Sequence, residues 1–239
     1  MDQDASGARL LDLVAVMDRL RTECPWDARQ THASLAPYLL EETYEALEAL
    51  ENGDMAALRE ELGDVLLQVL FHARVASERT DGTGFAIDDV ADGIAGKLVR
   101  RHPHVFSDVS VSGADEVKQN WDAIKAAERE AASGGPGSAL DGVPFGQPAL
   151  ALTAQLQRRA ARAGVPADLA DLAALGRAAG SSAEGQQAAS ASSEIGAQLF
   201  ALVLQAGAAG LDPELELRAA ARAYRDRVLA WEQAQRRHG

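Results

Sequence analysis

Along most of this chain apolar residues recur with the three-and-four spacing of a helix, and almost nowhere with the alternation of a strand. That periodicity predicts helices near 9–21, 33–51, 54–78, 87–100 and 114–131, then near 149–163, 193–208 and 213–237. Only the short stretch Val109-Ser110-Val111-Ser112 alternates, in what reads as a loop, so the expected fold class is all-α. Asn52-Gly53-Asp54 reads as a compact turn, with Asp54 placed to cap the helix that begins at Met55. The second and third helices should therefore form an antiparallel hairpin.

Within that hairpin the expected apolar stripes are Leu39, Leu40, Thr43, Ala46, Leu47 and Leu50 on one helix, and Leu58, Leu62, Val65, Leu66, Val69 and Leu70 on the other. Glu42 and Glu45 fall on one flank of the first stripe, and Glu61 and Asp64 on one flank of the second. Glu is a good helix former, and a single helical Glu is ordinarily solvated surface. Two acid pairs bordering a core on consecutive helices are a different matter, because clustered carboxylates beside apolar surface are strongly disfavoured without a cation. Four hard oxygen ligands suit Mg²⁺, or Mn²⁺, better than zinc. Glu41 points further out; a general base or supporting acceptor and a plain surface residue are both open readings for it.

Residues 132–148 are rich in Gly, Ser and Pro and read as a linker between a 1–131 domain and a 149–239 domain. The Ser181–Ser193 stretch is low in complexity and expected to be mobile. The apolar run Ile195–Leu211 is broken by Gln198 and Gln205 and is short for a bilayer span, so it is expected as a buried helix, with no membrane partner. The second half can be laid over the first as a degenerate helical repeat. Glu61-Leu62-Gly63-Asp64 then matches Glu194-Ile195-Gly196-Ala197, Lys97 matches Ala223 and Arg100 matches Asp226, and the Glu42/Glu45 pair has no counterpart. Such a copy cannot assemble the four-acid site.

The net charge of −13 argues against a nucleic-acid polymer as partner, because a polyphosphate backbone calls for a basic surface. One cysteine, Cys24, excludes an intrachain disulfide and fits a reducing, cytoplasmic compartment; the opening MDQDASGA has neither the basic nor the apolar region of a signal peptide. No Gly-rich phosphate loop of the G-x-x-x-x-G-K-[ST] type occurs. A di-iron carboxylate bundle would need Glu-x-x-His pairs, and the residues three after Glu42 and Glu61 are Glu45 and Asp64. Lys97, Arg100 and Arg101 sit at a predicted helix C-terminus, where basic residues complement the helix dipole as readily as they bind an anion. Trp121 and Lys125 share a helical face, and a helical Trp is commonly core. His102 and His104 flank Pro103 and read as ordering a loop.

Taken together, Glu41-Glu42-x-x-Glu45 and Glu61-x-x-Asp64, preceded by Cys24-Pro25-Trp26-Asp27 and Gln30-Thr31, resemble the MazG family of nucleoside triphosphate pyrophosphohydrolases. Lys97-x-x-Arg100-Arg101-His102-Pro103-His104-Val105-Phe106 and Trp121-x-x-x-Lys125 follow in the order of that family, and the likeness covers residues 10 to 130. The resemblance implies a helical bundle, a homodimer, and a nucleotide-pool housecleaning role. It also implies phosphate contacts from Lys97 and Arg101, with Trp121 and Lys125 similar to the family's base-stacking and phosphate-binding residues. The expected reaction is hydrolysis of a nucleoside or deoxynucleoside triphosphate between the α and β phosphates. The rival reading is a helical module that senses nucleotides, or only dimerises, without turnover.

Overall fold

A computed structural model describes residues 7–133, 137–166, 169 and 186–238. Among the described residues there are nine α-helices and no strand, and the chain divides into two compact units, Met1–Glu128 and Arg129–Gly239. The first unit contains α1 (Ala8–Glu23), a 3₁₀ turn (Asp27–Arg29), α2 (His32–Asn52), α3 (Met55–Ala76), α4 (Ile87–Arg101), the single-turn α5 (Pro103–Phe106) and most of α6 (Ala114–Ser133).

The hairpin of α2 and α3 is framed by local chemistry at both of its turns. Thr31 caps α2, its hydroxyl accepting from the Ser34 N–H at 3.2 Å while the Ser34 hydroxyl accepts from the Thr31 N–H at 2.9 Å. α2 ends at Gly53, whose φ of 69° lies in the left-handed region that a side chain would strain. Asp54 then starts α3, its Oδ1 accepting from the Ala56 and Ala57 N–H groups at 3.0 Å each. A two-residue reversal of this kind leaves the helices antiparallel and in contact along their length.

The core of this unit is Met17, Leu35, Leu70 and Phe71, with Leu13, Val14, Leu66, Leu67, Val75 and Ile87 packed against it. Arg21 fastens the periphery from within. It is buried, donates through Nε and Nη2 to the two carboxylate oxygens of Glu78 at 2.8 Å each, and donates through Nη1 to the backbone oxygens of Asp27 and of Gln30. Arg74 donates to Asp18 at 2.7 Å and to Glu78 at 2.9 Å, so α1, the 3₁₀ turn and the end of α3 share one ionic hub. Trp26 closes the same corner edge-on to Tyr38 and Phe71.

The apolar stripes differ from those expected. Leu40 and Leu50 on α2 and Leu62 and Val69 on α3 are exposed, and the inward line on α2 runs Leu35, Leu39, Glu42, Ala46, Ala49. The small Ala46 and Ala49 allow α3 to approach closely, which turns that face of α2 inward in preference to the leucine-rich face beside it. Glu42 consequently lies on the inner stripe and not on its flank. On α3, Glu61, Asp64 and Gln68 likewise follow Leu58 along the inward line, with Gln68 buried.

The second unit has α7 (Ala149–Arg162), α8 (Gln186–Ala208) and α9 (Pro213–His238), with Val143, Ala154 and Val203 buried and Gln157 Nε2 donating to the Phe200 carbonyl at 2.8 Å. The expectation of a buried helix over Ile195–Leu211 is not met. Val203 is buried, but Ile195, Leu199, Leu202 and Leu204 are all about half exposed or more, because α7 and α9 cover only one side of α8. Of the stretch expected to be mobile, residues 181–185 lie outside the described residues and 186–193 belong to α8. In the expected linker, residues 134–136 lie outside the described residues and Val143 is buried. Among the described residues no single helix is long and apolar enough to cross a membrane.

Candidate functional site

Counting outward from Gly53 at the hairpin turn, Glu45 lies eight residues before and Glu61 eight after; Glu42 lies eleven before and Asp64 eleven after. In an antiparallel helix pair, equal counts bring residues to the same level. Glu45 therefore meets Glu61, and Glu42 meets Asp64, one turn further along. Carboxylate oxygens of Glu42, Glu45 and Glu61 all come within 4.8 Å of one another. Asp64 stands outside that trio, although its charge acts on both Glu42 and Glu61.

The electrostatics follow from the geometry. Partial burial pushes the Glu42 carboxyl above the usual carboxylate range, and the charges of Asp64, Glu45, Glu41 and Glu61 push it in the same direction. Glu61 is raised as well, first by desolvation and then by Glu45, Asp64 and Glu60. Two acids driven toward the neutral form by burial and then by their neighbours would recover ionisation beside a divalent cation. The donor set is all hard oxygen on two rigid helices, which fits an ion such as Mg²⁺ and not a thiophilic one. Glu41 is exposed, and its charge acts on Glu42.

A second group forms where α4 meets α6. Arg101 donates through Nε at 3.0 Å and through Nη2 at 2.7 Å to the same oxygen, Oε2, of Glu128, and Arg100 Nε reaches Glu128 Oε1 at 3.4 Å. The Arg101 guanidinium carbon lies 5.5 Å from the centre of the Trp121 ring, and His102 meets that ring edge-on at 4.7 Å. The His102 Nδ1 is 2.7 Å from the Leu98 carbonyl, which can only accept, so Nδ1 carries the proton. Arg101 holds the Glu128 carboxyl below its usual range, with Arg100 adding to the effect.

The sequence-derived candidates thus divide by place. Glu42, Glu45 and Glu61 converge, with Asp64 beside them; Arg100, Arg101 and Trp121 meet at the α4–α6 corner; Lys97 is exposed on α4 and Lys125 half-buried on α6. Glu128 was not among the candidates. It lies seven residues after Trp121, two helical turns along the same face, and that spacing is the signal that could have found it.

The family model of the MazG nucleotide pyrophosphohydrolase domain matches residues 30–106, which takes in all four acids and the Lys97–Phe106 run. An uncharacterised 26.1 kDa protein of Streptomyces cacaoi is 47% identical over 229 residues, covering 96% of this chain and 85% of that protein. A nucleoside triphosphate pyrophosphohydrolase of Mycobacterium tuberculosis is 52% identical over 163 residues, covering 68% of this chain; the chain spans 48% of that relative's length. The nucleoside triphosphate pyrophosphohydrolase/pyrophosphatase MazG of Thermotoga maritima is 35% identical over 242 residues, covering 95% of this chain and 87% of that protein. With its acid hairpin inside the matched segment and a relative aligned over nearly the whole of both chains, this chain belongs to the MazG family.

Proposed function

We propose that this chain hydrolyses nucleoside or deoxynucleoside triphosphates to the monophosphate and pyrophosphate, at the acidic face of the α2–α3 hairpin. The observation that carries the reading is the convergence of Glu42, Glu45 and Glu61 within 4.8 Å, inside the segment matched to a nucleotide pyrophosphohydrolase domain. Glu42, Glu45, Glu61 and Asp64 would hold Mg²⁺, with Mn²⁺ as a substitute. An ion held there would supply charge neutralisation for the phosphates and Lewis acidity for the hydrolytic step. The carboxylates fix where that chemistry takes place, because both helices are anchored by caps at the turn and by the core beyond it.

Arg101 and Lys97 take the phosphate chain from the α4 side. Arg101 uses the guanidinium edge that Glu128 leaves open, and Lys97 acts as a mobile point charge. Trp121 and Lys125 on α6 meet the nucleoside end of the substrate. A ring with a cationic plane on one side can stack any base on the other, so this part of the site selects nucleotides as a class. Glu41, exposed beside Glu42, adds its negative charge to the cluster and is placed to serve it as a general base or supporting acceptor.

The exposed Leu40, Leu50, Leu62 and Val69 on the hairpin support a homodimer that buries them. A reducing compartment such as the cytoplasm and a housecleaning role on surplus or modified nucleotides complete the reading. The experiment is a product assay across the eight common ribo- and deoxyribonucleoside triphosphates with Mg²⁺, and with EDTA as control. Pyrophosphate with monophosphate is the expected product, and orthophosphate with a nucleoside diphosphate would overturn the assignment.

A further inference from the structure

Glu128 spends its carboxylate in an unusual way. Arg101 gives it Nε and one Nη2 hydrogen, both to a single oxygen, so the pairing is side-on. Among the described residues no acceptor takes the Nη1 hydrogens. An arginine held by its inner edge keeps its outer edge, Nη1 with the second Nη2 hydrogen, as a preformed fork for a phosphate. Trp121 backs the guanidinium plane, and Arg100 occupies the other oxygen of Glu128, which fixes the carboxylate in turn. The Arg101 side chain is only 16% exposed and Glu128 29%, so this pair is held within the α4–α6 corner, whereas Arg100 at 62% is solvated.

A free arginine loses considerable rotamer freedom when it binds an anion. We infer that Glu128 is a positioning residue for the triphosphate: it holds Arg101 side-on against Trp121, so that the outer guanidinium edge meets the phosphates already ordered. The opposite arrangement, a carboxylate masking Arg101 until substrate displaces it, would place Glu128 across the Nη1–Nη2 edge, and the hydrogen bonds run to Nε and Nη2 instead. The inference rests on the functional reading above, since it gives Arg101 its phosphate.

The test is a double-mutant cycle in the full chain with Glu128→Gln and Arg101→Ala. It reads pyrophosphate release from the best of the eight common triphosphates and, independently, calorimetric affinity for inorganic triphosphate. Glu128→Gln should raise KM and weaken triphosphate binding about tenfold with kcat little changed, and it should add nothing in the Arg101→Ala background. Glu128→Asp should recover part of the loss. Equal losses in both backgrounds, or tighter binding in Glu128→Gln, would overturn the inference, the first by assigning Glu128 a purely structural role and the second by assigning it a mask. Wild-type KM and affinity in Arg101→Ala would overturn it too, while leaving the acid site intact. Failure of the functional reading is distinguishable, because the wild-type chain would then release no pyrophosphate at all.

Discussion

Arg21 and Glu78 stand 57 residues apart in the chain and are joined by two charge-assisted hydrogen bonds of 2.8 Å, with the arginine buried and the acid partly solvated. The pair ties α1 to the end of α3 and, through the carbonyls that Arg21 also holds, to the turn that leads into the acid-bearing α2. Removing the guanidinium would take the side-chain donor from the Gln30 carbonyl, leave the Asp27 carbonyl with the Gln30 N–H, and leave Glu78 with Arg74 as its remaining cationic donor. Arg21→Met is therefore expected to destabilise the protein by roughly 3 kcal/mol, at the low end for a broken buried pair because Glu78 is partly exposed. Arg21 holds the Glu78 carboxyl below its usual value, burial works against this, and Arg74 adds to the lowering. A carboxylate with a depressed folded-state pKa contributes stability above its ordinary value and loses it as pH falls through the folded one. Urea unfolding at pH 7 and below pH 4 should show the wild-type advantage over Arg21→Met shrinking in acid; an advantage that persists unchanged would refute the ionic hub.

The acid cluster makes the opposite prediction for stability. Glu42 and Glu61 are both raised by burial and by neighbouring acids, so without a cation their ionisation opposes folding at neutral pH. Glu61→Gln should leave the melting temperature of metal-free protein unchanged or higher, and should abolish most of the stabilisation that added Mg²⁺ gives the wild type. Turnover should fall by about a thousandfold in Glu61→Gln and in Asp64→Asn. Near-normal turnover in either variant would mean that these acids are ordinary helix surface.

His32 and His72 join the far end of the same hairpin. Their Nδ1 atoms are 2.8 Å apart, their ring planes 4° apart and their centroids separated by 5.1 Å. Those distances together describe an edge-to-edge N–H···N bond, since parallel rings stacked face to face could not bring two nitrogens so close. His72 Nε2 is buried without a partner, which favours the tautomer that donates from His72 Nδ1. Burial lowers the His72 pKa, and the charge of His32 lowers it further. The bond is thus fully present above the ordinary histidine value and is lost as pH falls through that value toward the folded one. Between pH 8 and pH 5 the wild type should lose about 1 kcal/mol more stability than His72→Phe. Parallel pH profiles for the two proteins would show that the pair is not linked to folding.

The helical periodicity and the turn at Asn52-Gly53-Asp54 were enough to bring out the hairpin, because caps and turn residues act locally. The rotation of α2 was not legible in the same way. Summed hydrophobicity favours a face with Leu40 and Leu50, whereas packing against α3 favours Ala46 and Ala49, and only the paired helix decides between them. That same rotation carries Glu42 from the flank of the stripe onto its centre line. The i, i+3 acid pairs were visible because both members lie on one helix. Arg101 and Glu128 belong to different helices 27 residues apart, and no spacing rule connects them. Residues 195–211 show the reverse failure, since apolar content alone does not say whether a single chain provides the surface that would cover a helix.

The two compact units give the last prediction. All the residues assigned to the reaction, from Glu42 to Glu128, fall within Met1–Glu128, and the position laid over Asp64 in the second unit is Ala197. A truncated chain ending after Ser133, which keeps α6 whole, should therefore retain Mg²⁺-dependent pyrophosphate release, with turnover per folded site within about threefold of the full chain. The comparison needs protein shown to be helical and soluble, since exposed apolar residues such as Leu40 and Leu62 favour association in both the full and the shortened chain. Sedimentation analysis and circular dichroism supply that control. If the truncated protein is folded, binds Mg²⁺ and triphosphate as tightly as the full chain and yet does not turn over, residues beyond 133 take part in the chemistry and the site is not confined to the first unit.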